Sequence, residues 1–182
     1  MGTALAAAYE PFDSAQARPE PALDFETLVR RHQAMVFSIA YHFLQDRPAA
    51  EELAQDVFMQ LHRHLDALQS ADHVTFWLRR VTTHRCIDYS RRRRFRFLRL
   101  DSVPEPAAEV TPPDPLLSKR LRALVAGLPA PARMAVVLRY QEDLTPEEIA
   151  RVLDRPVATV KSQLQRSLRT LRERLQKVVP NG

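Results

Sequence analysis

One face of a C-terminal segment carries side chains that can hydrogen-bond to the bases and phosphates of nucleic acid. Between Val157 and Leu175 this face holds small, hydroxyl-bearing, amide and basic residues, and no acidic residue occurs before Glu173. Lysine and arginine donate to guanine or to phosphate, whereas threonine and serine can bond to either. The candidate DNA-contacting residues are Ala158, Thr159, Lys161, Ser162, Gln165 and Arg166.

A helix-turn-helix would position these residues. Thr145, Pro146 and Glu148 form a helix start, with a capping threonine, a proline at the first position and a capping-box glutamate. Pro156 ends the first helix, because proline lacks the N–H that a continuing helix needs. The alternative is a bundle or tetratricopeptide-like hairpin with a solvated basic face. The second helix should bury apolar residues that recur at helical spacing, namely Val157, Val160, Leu164, Leu168, Leu171 and Leu175.

A second basic surface is predicted between Phe76 and Leu100. Arginines at positions 79, 80, 85, 91, 92, 93, 94, 96 and 99 stand against a single acidic residue, Asp88. Such a positive track is suited to neutralising phosphates. Phe76 and Trp77 could stack on bases, although a lone tryptophan on an apolar helix face more often belongs to the core.

The segment from Asp24 to Leu68 is acidic instead. Glu51, Glu52, Gln55 and Asp56 cluster about one helical turn apart and are backed by Leu53 and Phe58. A carboxylate ridge of this kind can dock basic partner helices. A solvated acidic face is the alternative interpretation.

The composition indicates a folded intracellular protein. The chain has 182 residues, 45% of them hydrophobic, and a net charge of +5 that favours a polyanionic partner. Cys86 is the single cysteine, which excludes an internal disulfide and fits a reducing cytosol. No apolar run approaches the ~20 residues of a membrane helix, and no basic region precedes the short apolar patch near the N-terminus. We therefore expect a soluble, cytoplasmic protein without a membrane segment.

The predicted fold class is all-α, with two small helical domains joined by a proline-rich linker. Only three glycines occur, at positions 2, 127 and 182, so material for hairpin turns is scarce. Five prolines fall between Pro104 and Pro115, which is typical of an extended linker. The predicted units are a flexible tail (1–22), an N-terminal domain (23–99), the linker (100–115) and a C-terminal helix-turn-helix domain (116–178).

Apolar periodicity predicts three helices in the N-terminal domain. The first carries Phe25 to Phe43 and ends near Pro48, and the second carries Leu53 to Leu68. Residues 68–73 lack periodicity and are predicted to be a loop, after which a third helix starts near His73. Two further helices are expected at about 116–125 and 130–141, ahead of the helix-turn-helix.

Three stretches together resemble a known family. AAEELAQDVFMQLHRHL, FWLRRVTTHRCIDYSRRRR and the segment from LPAPARMAVVLRY through the helix-turn-helix are similar to the extracytoplasmic-function (ECF, group IV) sigma factors of bacterial RNA polymerase. The resemblance covers about Phe25 to Leu175, in the family's order and with a linker in the expected place.

The resemblance implies a function for each domain. The N-terminal domain would bind core RNA polymerase, at the clamp helices of its largest subunit, through Glu51, Glu52, Gln55 and Asp56. It would also bind the −10 promoter element, partly as single-stranded DNA with a flipped base held in the loop before the third helix. An anti-sigma factor would be a further partner. The −10 candidates are Gln69, Ser70, Asp72, His73, Arg79, Arg80, Thr83, Arg85, Arg91, Arg92, Arg93 and Arg94.

The C-terminal domain would read the −35 element as double-stranded DNA through the face that begins at Ala158. This chain departs from many relatives, which have glycine at the positions of Asp154 and Ala158 and arginine at the position of Gln163. These departures bear on which −35 sequence is read.

Two other classes of function compete with this interpretation. A free-standing helix-turn-helix regulator would bind DNA without polymerase and use its N-terminal domain for a ligand or a dimer contact. A helical metallo-enzyme would need a ligand set that the six histidines do not form, since His62 and His64 point in different directions on a helix. Cys86 lacks an orienting third group for nucleophilic catalysis. We therefore predict no enzymatic activity, no cofactor and no metal.

Overall fold

The computed structural model describes residues 24–97 and 115–178, and all of its regular structure in these ranges is helical. No strand occurs in either range, so the all-α prediction is confirmed. A short 3-10 turn, Leu65–Ala67, follows the second helix. The α-helices are α1 (Phe25–Leu44), α2 (Arg47–His64), α3 (Ala71–Phe97), α4 (Pro115–Ala126), α5 (Ala130–Tyr140), α6 (Pro146–Leu153) and α7 (Val157–Val178).

The N-terminal domain consists of α1, α2 and α3 packed against one another. Aspartates cap the first two helices: Asp24 accepts a hydrogen bond from the Thr27 N–H at 2.9 Å, and Asp46 accepts one from the Ala49 N–H at 3.1 Å. The completely buried side chains include Val36, Ile39, Phe43, Val57, Leu61, Val74 and Leu78. Each contributes about 1.5–3 kcal/mol by leaving water, so the interior of this domain holds α3 firmly.

Two predicted borders in this domain are wrong. The second helix ends at His64 rather than near Leu68, because the chain tightens into the 3-10 turn and Leu68 then becomes extended. The predicted loop 68–73 is shorter than expected, since α3 already begins at Ala71. Ser70 accounts for the early start, because its hydroxyl accepts a hydrogen bond from the His73 N–H at 3.2 Å.

The C-terminal domain consists of α4 to α7. The helices α4, α5 and α6 all contact α7, whose apolar face includes the buried residues Val160, Leu164 and Leu171. α4 starts at Pro115, a position that the sequence had assigned to the linker. The rest of the predicted linker and the predicted tail 1–22 lie outside the described residues.

The two domains contact each other directly. Helices α5 and α6 pack against α3, and α5 also packs against α1. The sequence predicted two separate domains and gave no indication of this interface. It places α3 between the rest of its own domain and the C-terminal domain.

Residues other than glycine occupy the left-handed turns. Gln45, Asp143 and Asp154 have φ angles of 56°, 52° and 53°. Short polar side chains tolerate this conformation better than apolar ones, although a Cβ atom still makes it costly. Gln45 and Asp154 end α1 and α6, respectively, at places where glycine is the usual residue.

Candidate DNA and polymerase interfaces

The start of α6 fixes how α7 presents the face that carries the predicted −35 residues. The Thr145 hydroxyl accepts a hydrogen bond from the Glu148 N–H at 3.2 Å, and the Glu148 carboxylate accepts one from the Thr145 N–H at 2.8 Å. These reciprocal bonds form the predicted capping box and hold the pKa of Glu148 below its usual range. The turn after Asp154 then directs the chain into α7 at Val157.

The structure places all six predicted −35 residues on one exposed side of α7. Its opposite side is buried against the rest of the domain, so this side is free to approach a groove of DNA. Two of the residues already have partners within the protein. The Ser162 hydroxyl donates to the Ala158 carbonyl at 2.9 Å, and Lys161 Nζ lies 2.8 Å from Glu147 Oε1. The exposed residues are Ala158, Thr159, Lys161, Ser162, Gln165 and Arg166.

Glu147, on α6, neutralises Lys161 locally. The hydrogen bond from Lys161 is the largest influence that lowers the pKa of the Glu147 carboxyl. Both side chains are about half exposed, so water and salt weaken their attraction. The sequence analysis did not detect this pair, although the HTH arrangement brings the start of α6 close to α7.

A groove of about 620 Å³ borders the exposed face of α7. It runs between the start of α5 and α7 and includes Arg174, which the sequence analysis did not single out. Gly127 leaves room for that arginine, because a Cβ atom there would come within 3.2 Å of Arg174 Nη1. The groove thus places a second guanidinium on the same side of α7 as Thr159, Ser162 and Arg166.

The predicted polymerase-docking residues lie on the exposed side of α2. Glu51, Glu52, Gln55 and Asp56 all reach solvent, while Leu53 and Val57 are buried beneath them. Met59 continues this side by one turn and is 58% exposed, which is unusual for a large apolar side chain in the described structure. The sequence analysis missed Met59, although its spacing of three and four residues from Asp56 and Gln55 could have placed it there.

An ion pair links this surface to α3. Arg85 Nη1 donates to Asp56 Oδ2 at 3.0 Å, and Arg85 Nη2 donates to Gln60 Oε1 at 3.1 Å. Arg85 was predicted as a DNA contact and Asp56 as a polymerase contact. The structure therefore joins two residues that the sequence had assigned to different surfaces.

The remaining predicted −10 residues differ in accessibility. Gln69, Asp72, Arg91 and Arg92 are exposed, while Ser70 and His73 are half-buried at the start of α3. Arg93 lies 3.4 Å from Asp46, and the side chain of Arg94 lies outside the described residues. The structure thus leaves a shorter open basic track, at the far end of α3, than the arginine count indicated.

Two arginines nearer the middle of α3 face the C-terminal domain. Arg80 donates to the Arg151 carbonyl at 3.3 Å and lies 3.5 Å from the Asp154 carboxylate. Arg79 is half-buried, and its charge acts on Glu142, whose pKa is raised by burial and lowered in part by Arg79 and by a hydrogen bond from Ser38. Neither arginine is freely available to a phosphate in this arrangement.

Comparisons with known proteins agree with this geometry. Family models for Sigma-70 region 2 and Sigma-70 region 4 match residues 28–96 and 118–171. The ECF RNA polymerase sigma factor SigE of Mycolicibacterium smegmatis is 34% identical over 164 residues, which are 84% of this chain and 62% of that protein. The ECF sigma-E factor of Escherichia coli K12 is 28% identical over 169 residues, covering 85% of this chain and 88% of that one.

A solved structure has the same fold. The sigma factor RpoE from Bartonella quintana, crystallised with the anti-sigma factor NepR, aligns with a TM-score of 0.71 and 21% identity over 84% of this chain and 97% of that one. The two family matches cover α1 to α3 and α4 to α7 in the order that the sigma factors require. The chain belongs to the extracytoplasmic-function sigma factors.

One predicted DNA contact of this sigma factor is wrong. Thr83 is completely buried, and its hydroxyl has no hydrogen-bond partner in the described structure. The sequence suggested Thr83 as a −10 contact because arginines surround it in the chain. α3 is covered from two sides, so a polar residue between exposed arginines can still point inward.

Two aromatic residues near the start of α3, Phe76 and Trp77, belong to the core of the sigma factor. Phe76 and Trp77 are half-buried and pack against the hydrophobic core, and the Trp77 ring lies 5.9 Å from the His64 ring. Their burial favours the core interpretation over base stacking.

Nothing in the described ranges supports metal or thiol chemistry. No group of three His, Cys, Asp or Glu side chains among residues 24–97 and 115–178 could hold a metal ion. Burial raises the pKa of the Cys86 thiol far above its usual range, so it is an unreactive core residue. No helix within the described part of the sigma factor is long and apolar enough to cross a membrane.

Proposed function

We propose that this sigma factor binds core RNA polymerase and directs it to promoters by reading a −10 and a −35 element. The observation that carries the proposal is the single exposed side of α7, on which all the predicted −35 residues lie together. Each domain has a distinct task in this proposal.

The C-terminal domain would read the −35 element with α7 in the major groove. Arg166 is the strongest base-reading candidate, because it is exposed and has no ion-pair partner in the described structure. A guanidinium in this position can form two hydrogen bonds with guanine. Thr159, Ser162 and Gln165 would add contacts, and Arg174 in the neighbouring groove would hold the phosphate backbone.

The N-terminal domain would bind the −10 element through the start and the exposed end of α3. Gln69 and Asp72 offer hydrogen-bonding groups next to the first turn of the helix, where an unpaired base could be received. Arg91 and Arg92 are exposed at its other end and would neutralise phosphates. Arg80 would join them when its contacts with Arg151 and Asp154 are released.

The exposed side of α2 would dock on the clamp helices of the largest polymerase subunit. Its carboxylates complement a basic partner, and Met59 supplies an apolar surface that burial would stabilise. The factor would have no catalytic activity of its own and would act in the cytoplasm, where transcription occurs. An anti-sigma factor is a further proposed partner, in line with the solved complexes of RpoE with NepR and of CnrH with CnrY.

Transcription from a library of randomised promoters tests the proposal. The purified chain and core polymerase are incubated with the library, and the start sites of the transcripts are sequenced. We expect enriched −10 and −35 motifs that depend on the chain. Transcripts without such motifs, or no transcripts, would contradict it, whereas DNA binding that needs no polymerase would favour a free-standing regulator.

A further inference from the structure

Lys161 differs from the other predicted −35 residues, because it is the one that pairs with an acidic side chain in the described structure. Its ammonium nitrogen lies 2.8 Å from Glu147 Oε1. Lys161 is in the second turn of α7 and Glu147 is in the first turn of α6, so the contact joins the two helices of the helix-turn-helix. A carboxylate therefore borders the exposed face of α7 on the side of α6.

The position of Glu147 is fixed by its surroundings. The capping box of Thr145 and Glu148 sets the first turn of α6. Ile149 and Ala150 follow directly and are buried, so the helix is anchored in the interior of the domain. The start of a helix also favours a negative charge. The Glu147 carboxylate is thus in place beside the lysine of α7 before DNA arrives.

A lysine with such a neighbour can distinguish charged from uncharged acceptors. An ammonium group has three donors, so Lys161 can keep its bond to Glu147 and donate to a second acceptor. When the second acceptor is a phosphate oxygen, its negative charge comes close to the carboxylate and is repelled. O6 and N7 of guanine are uncharged acceptors and meet no such repulsion. Glu147 therefore penalises a phosphate contact of Lys161 more than a base contact.

The penalty grows when DNA covers the pair. In the free chain both side chains are about half exposed, so their attraction shifts an equilibrium by no more than about fivefold. DNA in the groove would remove water from the pair, and the repulsion between like charges increases as the dielectric constant falls. Arg166, on the same side of α7, has no acidic partner in the described structure and can bind phosphate or base.

We propose that Glu147 is a positioning residue for −35 recognition, which keeps Lys161 away from phosphates and directs it to a base edge. Lys161 then contributes to sequence preference rather than to general affinity for DNA. The bases that it can read present an uncharged acceptor in the major groove, and guanine presents two. This inference rests on the proposed function in one respect, namely that α7 lies in the major groove.

The test asks whether Glu147 decides what Lys161 contacts. Lys161→Ala is measured in the wild-type chain and in a chain that carries Glu147→Gln, which keeps the size of the side chain and removes its charge. The probes are the promoter that the wild-type chain and core polymerase enrich from the randomised library, and variants of that promoter at each −35 position. Binding of the chain–polymerase complex at several salt concentrations gives the base preference and the salt dependence separately.

We expect Lys161→Ala to act differently in the two backgrounds. In the wild-type chain it should lower the preference at one −35 base pair by about five- to tenfold and leave the slope of the salt dependence nearly unchanged. Glu147→Gln alone should relax the preference at the same base pair. In the Glu147→Gln chain, Lys161→Ala should then reduce the slope by about one unit and change no base preference.

Glu173→Gln provides the matched background. It removes an equal charge from α7, where Glu173 pairs with Arg169. Lys161→Ala should act in this background as it does in the wild-type chain, with a loss of preference at one base pair. A general effect of the net charge of the domain would instead alter both backgrounds alike.

Three results would overturn the inference. If Lys161→Ala reduces the salt slope of the wild-type chain and leaves its base preference unchanged, Lys161 binds phosphate despite Glu147. If Lys161→Ala acts identically with and without Glu147→Gln, Glu147 does not direct it. In these two cases, a changed −35 motif for Arg166→Ala would show that the proposed function stands. If the wild-type chain enriches no motif, the proposed function fails and this inference fails with it.

Discussion

The two helices proposed to bind DNA, α7 and α3, are placed in opposite ways. α7 buries one side and presents every predicted DNA residue to solvent on the other. α3 is enclosed from two sides, so its arginines divide among an ion pair with Asp56 of α2, contacts with the C-terminal domain, and an exposed end. The number of arginines in a helix therefore does not determine how many of them DNA can reach. The packing of neighbouring helices determines it.

This difference separates sequence reading from charge neutralisation. An exposed helix with few internal partners can fit a groove and read base edges, whereas a helix with half-buried cations is suited to phosphates that replace its partners.

The largest effect is expected on the exposed side of α2 that is proposed to bind polymerase, where Asp56 pairs with Arg85 of α3. Asp56→Arg should weaken binding to core polymerase by about 3 kcal/mol, since like charges opposed at an interface cost several kcal/mol. It also removes the partner of Arg85. Asp66→Arg is the control, with the same charge change on an exposed residue outside the predicted docking set. Equal affinities of both variants in a pull-down with core polymerase would show that this side of α2 does not dock.

The next effect concerns sequence reading by α7. Arg166→Ala should weaken binding to −35 DNA by about 1–3 kcal/mol and relax the preference at one base pair. Arg172→Ala is the charge-matched control on the same helix, and it is exposed in a different direction. Binding assays on a set of −35 sequences at two salt concentrations measure both quantities.

Arg92→Ala on α3 provides the contrast to Arg166→Ala. The change should weaken binding to all DNA sequences by the same factor and reduce the salt dependence of binding by about one unit of slope. A change in base preference for Arg92→Ala, or none for Arg166→Ala, would remove the distinction between the two helices.

A smaller effect is expected from Glu147, which occupies Lys161 on α7. Glu147→Gln should free the ammonium group for a phosphate, so that non-specific DNA binding tightens and its salt dependence steepens by about one unit of slope. Glu173→Gln removes an equal charge from α7 and is the control. Titrations of mixed-sequence duplex at several salt concentrations give the slopes. If Lys161→Ala binds the duplex as tightly as the wild type while Glu147→Gln still binds it more tightly, Lys161 is not the source of the gain in affinity.

The smallest effect concerns the pH dependence of the stability of the N-terminal domain, which contains α3. His32 is buried, and desolvation, with Arg31 and Arg79 nearby, lowers its pKa below the usual 6.5. Its neutral form therefore stabilises the folded state above pH 6.5, and that contribution is lost as the pH falls below this value. The free energy of unfolding, followed by the fluorescence of Trp77, should decrease between pH 7.5 and about pH 5. His32→Leu should reduce this decrease; an identical pH dependence in the variant would exclude His32 as its source.

The helix-turn-helix could be predicted in detail because its signals are local. Thr145 and Glu148 cap α6 as their spacing indicated, and the exposed side of α7 follows from its apolar repeat. The interior placement of Thr83 and the inward direction of Arg79 could not be predicted in this way. They depend on which elements cover α3, and helical periodicity describes one buried face rather than two.

The exposed side of α2 that is proposed to dock on polymerase could be predicted only in part. Its acidic residues were placed correctly on the exposed surface, but Met59 was overlooked because a single apolar residue gives no periodic signal. The contacts between the domains involve partners more than forty residues apart, such as Ser90 with Arg133. No local pattern encodes such a pair, so only the folded structure reveals it.

Asp154 affects both the stability of the C-terminal domain and the contact of that domain with the N-terminal one. Its left-handed backbone costs roughly 1 kcal/mol relative to glycine, while its carboxylate lies 3.5 Å from Arg80 of the opposite domain. A change to glycine would make the C-terminal domain fold more stably and would remove this ion pair between the domains. A single codon can thus exchange the contact between the two domains for stability within one of them, without altering any residue that is proposed to read the promoter.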